Sequence, residues 1–466
     1  MNILLLSPAK ETIYGSSTMP RLGLAYLSAS LERNRIDHEI LDLNLYKDWK
    51  KVLIAKLKNH FFFGITSTTF EFDVAEEVAK YIKKHAPRSI VILGGPHATL
   101  MRKEVLKSCN EIDYCIRGEG EESLIKLIHS IESEHEEEIK NIEGVCYREY
   151  GEAKCNNYNA INDLDRIPFP NYDKFELEKY TASPISLPLL SSRGCPFNCI
   201  YCSVGIIMGK KFRKRSPENI VDEMGYLSAK YGTSSFQIQD DNFTLDIKRA
   251  KELCRRIIDR ALDIRWCVPN GIRVDRVNEK LIALMKKSGC REIAIGIEST
   301  NNDVLRNLKR GMSIETVKKV ISLIQKYKIP IKGFFLVGSP GETKKDVNYY
   351  VQFAIQQRLY EARFNMLTPY PGTELWNWIE EKGYWTVENP FKEITKCTHI
   401  GNVKAIFETP SFSKEEKEKA YQEMWKKWEK YKISKTLKGQ LSLRLERYPY
   451  IYYTIAKKLY KLLKRM

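Results

Sequence analysis

Three cysteines crowd into one short run of this chain, Cys195-Pro196-Phe197-Asn198-Cys199-Ile200-Tyr201-Cys202. Thiolates are the usual protein ligands of iron–sulfur clusters, and a loop with spacings of four and three can wrap three corners of a cubane. The next cysteine is Cys254, so no fourth thiolate stands nearby. Three ligands leave one iron open, and an open position separates a catalytic metal site from a closed structural one. The competing readings are a zinc site with a distant fourth ligand, or three reduced core cysteines. The other eight, Cys109, Cys115, Cys146, Cys155, Cys254, Cys267, Cys290 and Cys397, are scattered singly, as small buried hydrophobes are. Without a secretory signal they do not read as a disulfide framework.

A loop of this kind needs a rigid support. Strand-like runs at 189–192, 235–239, 264–268, 292–295, 331–337 and 362–366 alternate with helical patterns at 217–231, 247–261, 279–287, 314–327 and 344–357. Six βα units predict a parallel barrel, closed or open, with its site at the C-terminal ends of the strands. The cysteines directly follow the first of these runs. Ahead of them, apolar runs at 3–6, 38–43, 61–66, 89–93 and 113–116 alternate with amphipathic stretches at 22–33 and 74–84. That pattern predicts a doubly wound parallel sheet of flavodoxin-like kind, with ligands beyond the strands' C-terminal ends. The loops there, Thr66-Ser67-Thr68-Thr69 and Gly94-Gly95-Pro96-His97, suit close backbone approach to a bulky ligand. Ordinary turn chemistry accounts for them equally well. Pro168, Pro170, Pro184 and Pro188 mark a connector with a small β element. The expected division is 1–140 for the sheet domain, 141–188 for the connector, 189–375 for the barrel, and 376–466 for a C-terminal region with a charged helical tail.

The chain has 466 residues, 43% apolar and 29% charged, enough for several domains with sizeable cores. No apolar run approaches the ~18 residues of a spanning helix, and the N-terminal run reads as a first buried strand, so a cytoplasmic protein is expected. The formal net charge is +17, yet residues 426–466 alone carry +11. The body is close to neutral and the basicity belongs to the tail.

The triplet does not stand alone. Arg193-Gly194-Cys195-Pro196-Phe197 opens its loop, and Asp240-Asp241-Asn242-Phe243, Asn270-Gly271-Ile272-Arg273, Gly296-Ile297-Glu298-Ser299, Gly338-Ser339-Pro340-Gly341-Glu342-Thr343 and Thr368-Pro369-Tyr370-Pro371-Gly372-Thr373 each fall at or after an expected barrel strand. As a set they resemble the radical S-adenosylmethionine superfamily. The resemblance implies a 4Fe–4S cluster on Cys195, Cys199 and Cys202, whose open iron chelates S-adenosylmethionine. It implies reductive cleavage to a 5′-deoxyadenosyl radical that abstracts hydrogen from an unactivated carbon, with electrons from a reductant such as flavodoxin or ferredoxin. By the same resemblance Tyr201, Gln239, Asp240, Asp241, Arg273, Glu298 and Gly338 line the S-adenosylmethionine site. Gln239-Asp240-Asp241 replaces the commoner Gly-Gly-Glu beside the methionine amino group, Arg273 suits the carboxylate, and Glu298 the ribose or amino group.

The N-terminal half resembles the cobalamin-binding domain that precedes the barrel in one branch of that superfamily. The residues that carry this are Pro20-Arg21-Leu22-Gly23-Leu24-Ala25-Tyr26-Leu27, Gly64-Ile65-Thr66-Ser67, Gly94-Gly95-Pro96-His97-Ala98-Thr99 and Asp113-Tyr114-Cys115-Ile116-Arg117-Gly118-Glu119-Gly120-Glu121. Thr66, Ser67, Thr68, Gly94, Gly95, His97, Glu119, Gly120 and Glu121 are then expected around cobalamin. The Asp-x-His-x-x-Gly signature is absent and residues 7–19 hold no histidine, so the cobalamin would be base-off without that ligand. His97 is either a substitute ligand or a loop hydrogen-bonder. A sheet that has lost its cofactor and merely packs on the barrel is the other reading. With cobalamin, the resemblance implies methylation of carbon. The alternatives of the same family are anaerobic oxidative cyclisation and rearrangement.

Residues 451–465 gather Ile451, Ile455, Leu459, Leu462 and Leu463 on one helical face and five Lys and Arg on the other. This is the pattern of a helix at an anionic membrane surface, and equally of a tail helix packed on the barrel. A membrane surface would favour a lipid-type or lipid-linked substrate over a free small molecule. Nucleic acid is disfavoured: a tRNA methylthiotransferase typically carries three further N-terminal cluster cysteines and a C-terminal β-barrel, neither of which is seen here. A non-enzymatic cofactor carrier would not need the later barrel motifs.

Overall fold

The computed structural model describes residues 2–9, 19–180, 186–394 and 403–437. Its first sheet is built on β1 (Ile3–Ser7), β2 (His38–Asp42), β3 (Phe62–Thr66), β4 (Ile90–Gly94) and β5 (Tyr114–Ile116), parallel in the order β2-β1-β3-β4-β5. Alternate side chains of these strands enter different cores, as a period of two demands. Leu4, Leu6, Phe63, Ile65 and Leu93 pack on one face, in a core closed by the helix Phe72–His85. Ile3, Leu5, Phe62 and Ile92 pack on the other, in a core that runs without interruption into the second half of the molecule and includes Leu187, Phe335 and Trp428. In this strand order ligands bind beside the switch point between β1 and β3, where Thr66–Thr68 emerge.

The connector does more than link. Its strands β6 (Val145–Glu149) and β7 (Glu152–Cys155) form a hairpin that pairs antiparallel with β5 and extends the sheet to seven strands. Tyr150 and Gly151 turn it with positive φ at both positions, +51° and +82°, as a two-residue hairpin loop requires. The register sets Cys146 opposite Cys155, with Cα atoms 4.0 Å apart, and the two are joined in a disulfide. The expectation that both are lone cysteines is corrected here. Their pairing depends on a register that emerges only once the hairpin is located.

In the second half, β8 (Ser186–Leu189), the short β9 (Ser192–Arg193) and β10 (Arg213–Lys214), β11 (Ser235–Ile238), β12 (Arg265–Ile272), β13 (Cys290–Glu298), β14 (Ile331–Val337) and β15 (Glu361–Met366) follow in chain order. Six of them form a parallel sheet in the order β8-β11-β12-β13-β14-β15, a partial (β/α)6 barrel. The first barrel strand lies earlier than the expected 189–192. Ser191 and Ser192 are drawn out of the sheet by the Asp240 carboxylate, and β9 pairs instead with β10 in an antiparallel ribbon that frames the cysteine loop. The helix Pro217–Tyr231 shows how sharply the sequence sets these units: Ser216 caps its start, Pro217 takes the first turn, and left-handed Gly232 ends it.

The charged helix Lys414–Leu437 of the expected helical C-terminal region forms a wall of the barrel. Lys417, Ala420, Tyr421, Met424 and Trp428 are all buried, at the spacing of a single helical face. Tyr421 donates to the Phe364 carbonyl at 3.2 Å. The amphipathic stretch 451–465 and Cys397 lie outside the described residues. No helix among the described residues is long and apolar enough to cross a membrane.

Candidate cofactor site

Cys195, Cys199 and Cys202 leave the β9–β10 ribbon on a half-buried loop. Gly194 holds φ at +86°, and a Cβ there would collide with the Lys211 carbonyl, so only glycine allows the loop to fold back on its own return strand. The Cys195 amide donates to Gly209 O at 3.2 Å and the Cys202 amide to Cys199 O at 3.1 Å. Burial, and then the charge of the other two sulfurs, pushes the Cys202 thiol up to about 12. A strongly cationic centre would draw off the Cys202 proton. Among the described residues no three His, Cys, Asp or Glu close in on a point that would grip a single ion. A cubane asks for something different: one thiolate for each of three irons.

Two side chains around the loop fit such a cluster. Arg310 donates to the Cys199 sulfur at 3.5 Å and to Gly296 O at 3.0 Å, and lies 3.5 Å from Glu298. Asn242 is buried against the Cys195 thiol, whose thiolate form its side chain favours, and neither amide atom has another hydrogen-bond partner. An unsatisfied buried amide N–H costs about 1–3 kcal/mol, and the sulfurs of a cluster on Cys195 would offer acceptors to the Asn242 Nδ2 group. Neither residue was assigned a role from the sequence. Asn242 sat inside a noted motif, but Arg310 carried no pattern at all.

The expected S-adenosylmethionine residues converge at the strand ends. Tyr201 donates to Glu298 at 3.1 Å, and burial raises the Glu298 carboxyl above its ordinary value against the pull of Arg310. Glu298 holds a positive φ of +62°, the kind of backbone strain that clusters at functional sites. The Arg273 guanidinium lies over the Phe197 ring, 3.5 Å from its centroid, and donates to Asp275 at 2.8 Å and to Arg310 O at 3.0 Å. Gly338 turns at φ +95°. Its amide and that of Ser339 donate to the buried Glu342, whose carboxyl burial pushes up to about 7. Beneath this turn runs the stem of Lys417, which donates to Phe407 O at 3.1 Å.

The two aspartates of the motif part company. Asp240 is 1% exposed and accepts from the amides and hydroxyls of both Ser191 and Ser192, with Arg249 at 3.6 Å. A carboxylate so engaged has no lone pair left for a ligand; it holds the start of the cysteine loop. Asp241 accepts from the Gly194 amide alone, and burial, together with the Asp240 charge, pushes it up to about 6. Of the pair, Asp241 is the one free to meet a ligand's ammonium. Gln239 contacts Gln237 at 3.2 Å and the Met19 sulfur at 3.9 Å.

On the N-terminal sheet, Ser67 N donates to Gly94 O at 3.1 Å and His97 N to Ser67 O at 3.0 Å, which ties the two small-residue loops together. Thr68 caps its helix with Glu71. Gly95 takes φ +90° where a Cβ would stand 2.8 Å from the Thr66 hydroxyl, while the space above Gly94 is open. A cradle of bare backbone beside open space suits a flat, bulky ligand. The His97 ring stacks on Phe72 with centroids 4.0 Å apart, and burial lowers its pKa to about 3, so the imidazole is neutral.

Glu119 and Glu121 are engaged in buried ion pairs. Arg193 lies 3.0 Å from Glu119 and 2.6 Å from Glu121, and Arg213 lies 2.7 Å from Glu119, all four side chains being buried. Gly120 between them backs onto Leu27. The two carboxylates expected around cobalamin thus neutralise the arginines that begin and end the cysteine loop, and they bind the sheet domain to the barrel.

The strand-end faces of the two halves meet. Phe70, just after β3, packs edge-on against Tyr370, just after β15, with centroids 5.9 Å apart. The helix Pro96–Met101 lies against the turn Val204–Ile207 that follows Cys202. The small-residue loops of the sheet domain and the three-thiol loop therefore lie along one seam.

Comparison with known proteins agrees with this geometry. The family model for the radical SAM superfamily matches residues 189–354, and that for the B12 binding domain matches residues 14–128. An uncharacterized methyltransferase of Pyrococcus horikoshii is 35% identical over 386 residues, which is 81% of this chain and 83% of that protein. The cytidylyl-2-hydroxyethylphosphonate methyltransferase of Streptomyces wedmorensis is 26% identical, covering 87% and 86%. Among solved structures, the radical S-adenosylmethionine methyltransferase TsrM of Kitasatospora setae, with cobalamin and a [4Fe-4S] cluster bound, shares the fold at a TM-score of 0.75 and 20% identity, over 91% of each chain. The chain belongs to the radical S-adenosylmethionine superfamily, in the branch that carries a B12-binding domain ahead of the barrel. Its cofactors are accordingly a 4Fe–4S cluster, S-adenosylmethionine and cobalamin.

Proposed function

We propose that this enzyme transfers a methyl group to an unactivated carbon of a small-molecule or lipid-type substrate held between its two halves. The observation that carries this reading is the meeting of the two strand-end faces at Phe70 and Tyr370. When bound, the cluster and S-adenosylmethionine supply a 5′-deoxyadenosyl radical, and cobalamin supplies the methyl group. The chain's own residues position and shield. Cys195, Cys199 and Cys202 hold the cluster, while Arg310 and Asn242 donate toward its sulfurs. Asp241, Arg273, Glu298, Tyr201, Gln239 and Gly338 surround S-adenosylmethionine. Thr66, Ser67, Thr68, Gly94 and Gly95 cradle cobalamin, with neutral His97 stacked behind them. The sheet domain, 1–140 and its hairpin, serves cobalamin; the barrel, 189–375, serves the radical.

The test is cobalamin stoichiometry. After anaerobic reconstitution of the cluster, the protein is loaded with hydroxocobalamin, desalted, and read by absorption. About one cobalamin per chain is expected. None retained would refute methyl transfer and leave the radical barrel standing.

A second reading is oxidative cyclisation. The anaerobic magnesium-protoporphyrin IX monomethyl ester cyclase of Rubrivivax gelatinosus is 28% identical over 364 residues, covering 77% of this chain and 65% of that protein. Transfer of label from methyl-labelled S-adenosylmethionine to the product separates the two readings. The basic stretch 451–465 favours a substrate at an anionic membrane surface. Equal binding of the full chain and of one truncated at Gly439 to anionic liposomes would refute that surface.

A further inference from the structure

The cysteine loop has an outer side as well as an inner one, and the outer side carries a charge that nothing in the site uses. Lys210 and Lys211 stand exposed at the return of the loop, between Gly209 and β10. Their ammonium groups contact only neutral side chains: Lys210 Nζ lies 3.0 Å from Asn198 Oδ1, and Lys211 Nζ 3.0 Å from Asn162 Oδ1. Among the described residues neither has a carboxylate partner. Lys214, three residues on, is paired with Asp246 at 2.5 Å. The two free ammoniums flank a shallow groove of about 320 Å³ lined also by Asn159, Asn162, Met208 and Gly209, with no acidic side chain in its wall.

This groove is one hydrogen bond away from the cluster ligands. The Cys195 amide donates to Gly209 O at 3.2 Å, and Asn198, which touches Lys210, lies between Cys195 and Cys199. The opposite side of the loop faces Arg310, Glu298 and the barrel interior, where S-adenosylmethionine and substrate belong. A donor reaching the cluster without crossing the substrate cavity must come from the outer side.

Resting on the radical S-adenosylmethionine reading, we propose that the Lys210–Lys211 groove is the docking surface for an acidic one-electron carrier protein of the flavodoxin or ferredoxin class. The carrier's reduced flavin or iron–sulfur centre gives up one electron and is oxidised by one; the 4Fe–4S cluster takes that electron and is reduced by one. No proton or bond changes hands at this step. Opposite charge at the rim raises the rate of encounter and weakens with salt.

The experiment compares two reductants on the loaded enzyme, reading 5′-deoxyadenosine formed per minute. One is a reduced flavodoxin regenerated by its reductase and NADPH; the other is dithionite. For the double variant K210E/K211E, the flavodoxin-driven rate at low ionic strength should fall at least about tenfold and lose its salt dependence. The dithionite-driven rate should stay within about twofold. K211E alone, whose side chain touches no residue of the cysteine loop, should move the flavodoxin rate in the same direction. An equal fall with both reductants would mean the variants disturb the loop itself, and would overturn the proposal. So would an unchanged flavodoxin rate. A raised KM for S-adenosylmethionine under dithionite would put the two lysines on the cofactor side of the loop and overturn it likewise. A wild-type protein that cleaves no S-adenosylmethionine even with dithionite sinks the radical reading itself, and this proposal with it.

Discussion

Replacing Glu119 by Gln takes one carboxylate out of a buried set of two arginines and two glutamates. The set goes from neutral to a net positive charge at a place where the Glu119 side chain is 3% exposed and the Arg213 side chain 2%. Breaking a buried pair by removing one partner costs about 3–5 kcal/mol, because the partner stays charged and dry. An amide still accepts hydrogen bonds, so about 3 kcal/mol is expected, roughly a factor of 100 in any equilibrium that depends on the set. The loss falls on Arg193, two residues ahead of Cys195. The assay is iron and cobalamin per chain after anaerobic reconstitution and gel filtration. E119Q should retain less than about half the iron of the wild type, measured against about four irons per cluster, with cobalamin binding unchanged. In the double variant E119Q/R213Q the loss should be smaller than the two single losses combined, since each change removes the other's unpaired charge. The result that refutes this is the reverse pattern, iron retained and cobalamin lost, which would make Glu119 a cobalamin contact. The pH dependence has a definite sign. Against its burial, Arg193 and Arg213 hold the Glu119 carboxyl below its ordinary value. Its contribution is therefore present above the unfolded carboxylate pKa of about 4.3 and is lost as pH falls through the lower folded value. Iron retention should be flat from neutrality down to about pH 5.

Alanine at Cys195, Cys199 or Cys202 should abolish both iron binding and S-adenosylmethionine cleavage, the latter read as 5′-deoxyadenosine with dithionite; cleavage retained in any one of them would sink the cluster assignment. Arg310→Met removes a positive donor from the Cys199 sulfur. The cluster's midpoint potential, measured by electron paramagnetic resonance titration, should shift negative, since oxidised iron loses a neighbouring cation that disfavoured it. Burial lowers Lys417 to about 7, whereas an unfolded lysine titrates near 10.4. Between those values the unfolded chain binds more protons, so stability rises with pH across that window. Lys417→Met should unfold at a higher temperature than the wild type at pH 7, with the gain shrinking toward pH 10.

Much of the architecture was legible because buried parallel strands announce themselves as apolar runs, and Ile3, Leu4, Leu5 and Leu6 are buried on both faces of their sheet. The three cysteines were legible for a different reason: the ligands of a cluster on one loop must be close in sequence. What could not be read was anything that depends on two distant segments meeting. Glu119 lies 94 residues from Arg213, and nothing local in either segment tells a ligand contact from an ion pair. Arg310 reaches Cys199 across 111 residues. Asp240 and Asp241 are chemically identical neighbours whose roles diverge because successive residues at a strand end face opposite ways. The disulfide of Cys146 and Cys155 awaited a register, and the burial of the helix Lys414–Leu437 was masked by its abundance of charge.

The uninterrupted core that links Ile3 and Leu5 of the first sheet with Leu187 of the barrel and Trp428 of the last described helix has a consequence for how the molecule can be taken apart. Two modules joined by a tether melt separately and survive dissection. Here the face of the sheet domain that would be bared by a cut near residue 185 is lined by Leu24, Phe62, Ile92 and Ile116, all buried. Neither piece would be expected to stay in solution alone, and calorimetry of the whole should register a single endotherm. A substitution that loosens the shared core, at Leu187 for instance, should therefore lower the melting temperature of both halves together.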